Sequence, residues 1–130
     1  MGTEISTKKS PDIDQLIRLF QQAGWFDKTD RARVKSMVEN STIVGTAWDK
    51  MRMVGFARCM TDGVFNGQIN NVVVDENYRA HSIGKQLIEK ILMSNEKVTY
   101  ILRADPDNID FYKKFGFEDA SLAVIYKRKN

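Results

Sequence analysis

Cysteine and histidine are nearly missing from this 130-residue sequence, which holds one of each, Cys59 and His81. A lone cysteine leaves no internal disulfide and no cysteine-rich zinc module, and a lone histidine removes His-pair metal sites and most histidine-based triads. Proline is almost as scarce, with Pro11 and Pro106 alone, and no proline-rich linker, repeat or low-complexity tract divides the chain. Long apolar runs are missing too. The longest, Leu122 to Tyr126, falls far short of the ~20 residues that a membrane-spanning helix needs. Residues Met1 to Ser10 are polar and lack the apolar core of a secretory leader, so a cytoplasmic location is the expectation. Neither sign of charge dominates: 20 basic against 17 acidic residues give a net charge of +3. The densest basic cluster, Lys127-Arg128-Lys129, sits in a C-terminal tail, whereas a nucleic-acid binder gathers Lys and Arg on one face among aromatic residues. No nucleic-acid, membrane or metal partner is expected.

What is present suits one compact domain over residues 1–130. The chain is 42% hydrophobic and long enough to bury about two-thirds of its unfolded surface without a staple. A short extended segment, Glu4 to Lys8, precedes Ser10-Pro11, where serine can cap free amides and proline has no amide to waste. Ile13, Leu16, Ile17 and Phe20 then make one apolar helix face, with Gly24 as its stop. A second helix is expected from about Thr29 to Glu39. The period then changes. Thr42–Trp48 and Met51–Met60 alternate as strands around a turn at Asp49-Lys50, Asp62-Gly63 marks a reversal, and a third strand runs from about Phe65 to Val74. From Ser82 a helical pattern returns, with Ile83, Leu87, Ile88, Ile91 and Leu92 on one side. Lys97–Ala104 reads as a strand, Asp107–Phe115 as a short helix ending at Gly116, and Leu122–Arg128 as a closing strand. The order β-α-α-β-β-β-α-β-α-β describes a mixed α/β (α+β) domain whose strand–helix–strand unit should be parallel.

The most informative stretch runs from Asn71 to Lys85. An apolar strand, Val72-Val73-Val74, ends in a polar turn, and small residues open an amphipathic helix. Helix N-termini carry unpaired amides and a partial positive charge, so such a turn suits a phosphate. Gly84 leaves the backbone open to a ligand, and Arg79 and Lys85 add cationic donors. On these residues alone, an ordinary strand-to-helix turn remains the alternative. No G-x-x-x-x-G-K-[ST] loop occurs, and the dinucleotide fingerprint lacks two of its three glycines.

The run from Val72 to Gly84 resembles the acetyl-CoA motif of the GNAT superfamily of N-acetyltransferases, a hydrophobic strand followed by [RQ]-x-x-G-x-[GA] at a helix start. Arg79 matches its first position and Gly84 its last. Ser82 stands where the first glycine is usual, and Glu76 where a proline is common. The segment Asp107 to Phe117 resembles a second block of that family, N-x-x-F-Y-x-x-x-G-F, at a suitable distance from the first. The resemblance covers nearly the whole chain and implies transfer of an acetyl group from acetyl-CoA to a small-molecule or peptide amine by direct attack in a ternary complex. It implies that Val72, Val73 and Val74 hold the acetyl and pantetheine groups. Arg79, Ala80, His81, Ser82, Ile83, Gly84 and Lys85 would hold the pyrophosphate, Asn108 would add a polar contact, and Tyr112 would protonate the leaving thiolate. A homodimer is compatible with it.

The general base is not evident. Asn70 and Asn71 cannot take a proton, so a water held by one of them is the expectation, while Asp62 and Asp75 read as turn residues. A covalent route through Cys59 with His81 is disfavoured, because a lone cysteine inside an apolar strand packs as a small hydrophobe. The acids Asp105, Asp107 and Asp110 fail the calcium-loop pattern and suit helix capping. The acceptor is expected near Trp25 and Phe26. A catalytically silent CoA-binding sensor of the same fold is the alternative.

Overall fold

The computed structural model describes residues 2–120 and 123–129. Its elements are β1 (Thr3–Ser6), α1 (Ile13–Gln22), α2 (Arg31–Glu39), β2 (Ile43–Asp49), β3 (Arg52–Thr61), β4 (Asn66–Val74), α3 (Ile83–Ser94), β5 (Thr99–Leu102) and α4 (Ile109–Lys113). The strands form one sheet in the order β1-β2-β3-β4-β5, antiparallel except for β4 and β5, which pair in parallel across α3 as expected. Gly63 turns the chain between β3 and β4 with φ of 74°.

Period-two alternation sends the strand side chains to two opposite cores. Ala47, Val54, Ala57, Cys59 and Ile69 pack beneath Ile83, Leu87, Ile88 and Ile91 of α3. On the other face, Met53, Phe56 and Val73 meet Leu16, Leu19 and Phe20 of α1 and Val34 of α2. Leu16, Phe20, Phe56 and Leu87 are wholly buried, and each contributes about 1.5–3 kcal/mol of transfer free energy. Gly55 brings α3 close to the sheet: a Cβ there would lie 2.9 Å from Ile83 Cγ2 and 3.1 Å from Leu87 Cδ1.

Two expectations are corrected. The cap of α1 is Asp12, whose Oδ1 accepts from the Gln15 amide at 3.0 Å, so the helix starts two residues beyond the Ser10-Pro11 signal. The closing strand does not form over its described part. Residues 123–129 have no regular structure, with Val124 and Tyr126 exposed at 99% and 84%, while Leu122 lies outside the described residues. A β-branched run carries strand propensity, but a strand needs a ladder partner, and β5 is only four residues long.

Candidate active-site cleft

The cleft arises where two strands part. β5 pairs with β4 only from Asn66↔Thr99 to Ile69↔Leu102, yet β4 continues to Val74. The chain after Leu102 leaves the ladder, so the stretch of β4 past Ile69 has an unpaired edge on that side. The two strands therefore splay apart beyond Ile69. A bulge shapes the same stretch: the β3–β4 register shifts between Phe56 and Arg58, and Asn71 takes a left-handed φ of 55°. Asparagine tolerates that conformation better than most residues, and the extra residue re-aims those that follow. Val72 and Val74 accordingly face the α3 core, and Val73 the opposite one.

The resulting cleft, about 430 Å³, has Val72, Val73, Val74, Arg79, Ser82, Gly84 and Lys85 on one wall. Asp105, Asn108, Phe111 and Tyr112 form the other, and Ala23 and Trp25 close one end. The two motif blocks therefore meet across one opening. A larger cavity, about 660 Å³, lies between β5 and α4 behind Tyr112, but none of the strand-to-helix turn lines it.

At the mouth of α3, Ser82 has φ 59° and ψ 24°, the left-handed region that glycine occupies most readily. The usual glycine of the motif thus has a geometric reason, and serine adopts the same turn here. Its side chain makes no capping hydrogen bond, which leaves the hydroxyl and the first amides of α3 free toward the cleft. A Cβ on Gly84 would lie 3.6 Å from both Phe111 Cζ and Val74 Cγ2, ordinary contact distances, so the chain's own packing does not demand glycine there. Arg79 and Lys85 line the same region.

Not every residue of the turn faces the opening. Ile83 is 1% exposed and belongs to the α3 core, so only its backbone can meet a ligand. His81 is exposed and packs its ring 5.8 Å from that of Tyr78, outside the cleft lining. Ala80 lies in the 3-10 turn Glu76–His81. Trp25 packs on Phe20 at 5.5 Å and reaches the cleft, whereas Phe26 is 70% exposed and does not.

Electrostatics separate the titratable groups. Burial, and secondarily the charge of Asp105, raises the pKa of Tyr112 above its ordinary value of 10.0, so its phenol holds its proton at neutral pH. Burial likewise raises the Cys59 thiol, which is 0% exposed and inert as a nucleophile. Asp62 accepts from the amides of Val64, Phe65 and Asn66 at 2.8, 2.8 and 3.2 Å, which holds its pKa down. Burial opposes ionisation of Asp75, but hydrogen bonds from Arg18, the Asn77 amide and Arg52 outweigh it and lower the pKa. Neither acid is a free base.

Asp105 differs from its expectation as a helix cap. It makes no capping bond and is the only carboxylate among the described cleft-lining residues. Its place depends on where β5 leaves the ladder, which periodicity does not encode. Of the adjacent asparagines Asn70 and Asn71 on β4, Asn71 is engaged, its Oδ1 accepting from Arg58 Nε at 2.7 Å, while Asn70 Oδ1 is buried without a hydrogen-bond partner among the described residues.

Similarity to known proteins agrees with this arrangement. An acetyltransferase (GNAT) domain model matches residues 39–119. The chain is 33% identical over 120 residues to an uncharacterized N-acetyltransferase, ycf52, of Pyropia yezoensis, covering 87% of this chain and 68% of that protein. It is 30% identical over 121 residues to the histone acetyltransferase TAP1 of Glycine max, covering 82% of this chain and 52% of that one. Its fold superimposes on a GNAT-family acetyltransferase of Streptococcus pneumoniae with a TM-score of 0.82 at 20% identity, over 98% and 100% of the two chains. With the domain model matching more than half its length, this chain belongs to the GNAT family of acetyltransferases.

Proposed function

We propose that the protein moves an acetyl group from acetyl-CoA to an amine by direct attack, with both substrates held in the cleft. The observation that carries this is the unpaired stretch of β4, Asn70 to Val74, opening toward the free N-terminus of α3. A strand edge without a partner suits the amide-bearing pantetheine arm, which can pair with it as an added strand would. The uncapped amides of α3, the Ser82 hydroxyl, Arg79 and Lys85 suit a pyrophosphate, and Asn108 faces them from the other wall. When bound, acetyl-CoA supplies a thioester whose carbonyl carbon is attacked and whose sulfur leaves as a thiolate.

This chain's residues then have distinct tasks. The backbone amides around Val72 polarise the acetyl carbonyl from a fixed strand, with no reorganisation at the moment of reaction. Tyr112 Oη holds the proton for the thiolate, and its elevated pKa keeps that proton available across the neutral range. A water donating to Asn70 Oδ1 takes the amine's proton on its own lone pair, because Asn71 is already bonded to Arg58 and Asp62 and Asp75 are tied elsewhere. The buried Cys59 leaves no covalent route.

Calorimetric titration with acetyl-CoA tests the first half of this reading, and absence of binding would refute it. Thiol release with an amine panel tests the second. Tyr112→Phe should bind acetyl-CoA as wild type does and lose roughly 10²–10⁴-fold in kcat. Tight binding with no turnover of any amine would instead identify a CoA-binding module without chemistry.

A further inference from the structure

The bulge in β4 brings together two unmet demands. Arg58 of β3 and Asn70 of β4 are cross-strand partners on the face covered by α1 and α2, one alternation beyond Phe56 and Val73. Arg58 is half-buried, and its guanidinium meets only neutral acceptors: Asn71 Oδ1 at 2.7 Å, Ser41 Oγ at 3.4 Å and Met60 Sδ at 3.5 Å. No carboxylate among the described residues lies within ion-pair distance of it, although Arg18 and Arg52 both pair with Asp75, and Arg31 with Asp14. Burial accordingly lowers its pKa, with no acid to offset the cost. Beside it, Asn70 Oδ1 is buried and lacks a donor.

A half-buried cation without an anion among the described residues, next to a buried acceptor without a donor there, costs free energy in the unliganded fold. Natural interiors seldom keep such a pair unless something answers it. The answering chemistry is an oxyanion for Arg58 and an N–H or O–H for Asn70, whose Oδ1 has two lone pairs and can accept from the ligand as well as from the reactive water. The pair lies on the sheet face of Val73, a cleft-lining residue, one alternation further along the β3–β4 ladder.

We infer that Arg58 and Asn70 form an acceptor subsite selecting an amine that also bears an anionic group, a carboxylate or a phosphate. This rests on the acetyltransferase reading above for the identity of the amine as acceptor. Asn70 lies two residues before Val72 on β4, across the bulge at Asn71. A short amino acid or an aminoalkyl phosphate, with its anion a few bonds from its amine, is the ligand class that matches this closeness. A guanidinium can hold either oxyanion with paired N–H donors.

Binding of matched probes tests this without requiring turnover. γ-Aminobutyrate is compared with n-butylamine, and O-phosphoethanolamine with ethanolamine, by calorimetry on the protein alone and saturated with coenzyme A. The anionic member of at least one pair should bind roughly tenfold tighter or better, as expected for a charge-assisted contact. The pair showing the preference distinguishes carboxylate from phosphate. Arg58→Gln should abolish the preference, and Arg58→Lys, which retains a cation, should keep part of it. Equal binding within both pairs, no binding by either anionic member, or a preference lost equally in both variants overturns the assignment. The separate acetyl-CoA titration tells this failure apart from failure of the acetyltransferase reading.

Discussion

At the residue scale, Ser82 shows how one backbone angle accounts for a sequence departure. Its left-handed conformation costs an L-residue about 1–2 kcal/mol, and its side chain returns no capping bond. Ser82→Gly removes that strain but loosens the unfolded chain by roughly 0.5–1 kcal/mol. The net expectation is a gain of up to about 1.5 kcal/mol, visible as a higher urea midpoint. A lower midpoint would mean that the hydroxyl supports the turn after all. Tyr112 makes a second prediction at this scale. Because burial and then Asp105 raise its pKa above 10.0, turnover should not fall on the alkaline side from loss of this proton until above pH ~10. Asp105→Asn removes one of the two causes and should move that alkaline limb toward lower pH. A limb that stays in place would separate Asp105 from the acid.

At the scale of elements, Asp75 ties three pieces together. Its Oδ2 accepts from Arg18 of α1 at 2.8 Å and Arg52 of β3 at 3.0 Å, while Oδ1 accepts from the Asn77 amide at 3.0 Å in the turn that lines the cleft. Arg18 also donates to the Met53 carbonyl at 2.9 Å, so one ion cluster locks α1 to the sheet beside the Glu76–His81 turn. Both arginines are partly exposed, at 30% and 49%, which moderates the effect of breaking the cluster. Asp75→Asn should therefore cost about 1–3 kcal/mol at neutral pH. The folded pKa is depressed, so this stabilisation is present above the unfolded value near 3.9 and is lost as pH falls through the folded value. The midpoints of wild type and variant should draw together as pH falls below about 4 and meet only below the folded value, and a difference that persists there would assign the effect to packing instead. Gly55 acts on α3 in a similar way. Gly55→Ala forces a Cβ within 3.1 Å of Ile83 and Leu87 and should destabilise by about 1–3 kcal/mol.

These examples also mark what the sequence could disclose. Helix faces and strand alternation follow from local spacing, so nine elements are legible in the sequence, while the joint role of Val72 and Tyr112 is implied only by the family resemblance of the two motif blocks. The partners of Asp75 lie 57 and 23 residues away, and the Arg58–Asn70 pairing depends on a bulge that slips the β3–β4 register. Such facts live in tertiary register. The closing strand failed for a related reason, since propensity over Leu122–Arg128 specifies a conformation and not a neighbour.

For the whole molecule, the cleft divides the fold unequally. Four antiparallel strands with α1, α2 and α3 contain nearly all the fully buried side chains. The other wall hangs from a four-residue β5 and from α4, a five-residue helix with no buried residue. Phe111, Tyr112, Phe115 and Phe117 pack on one another, with ring centroids 5.0–6.0 Å apart, and Tyr112, Phe115 and Phe117 touch the α3 core while only partly buried. Regions with few buried contacts open at low free-energy cost, so the α4 wall should exchange its amide hydrogens well before the main sheet. A ligand spanning both walls adds to the folded state RT ln(1 + [L]/Kd), about 2.7 kcal/mol at a hundredfold excess over Kd. Hydrogen exchange with saturating acetyl-CoA should therefore slow most at residues 105–117 and at the start of α3. The β1–β3 meander, already closed by its own core, should change little. Protection confined to the meander, or none at all with binding established by calorimetry, would place the ligand outside this cleft and sever the link between the splayed strands and the chemistry.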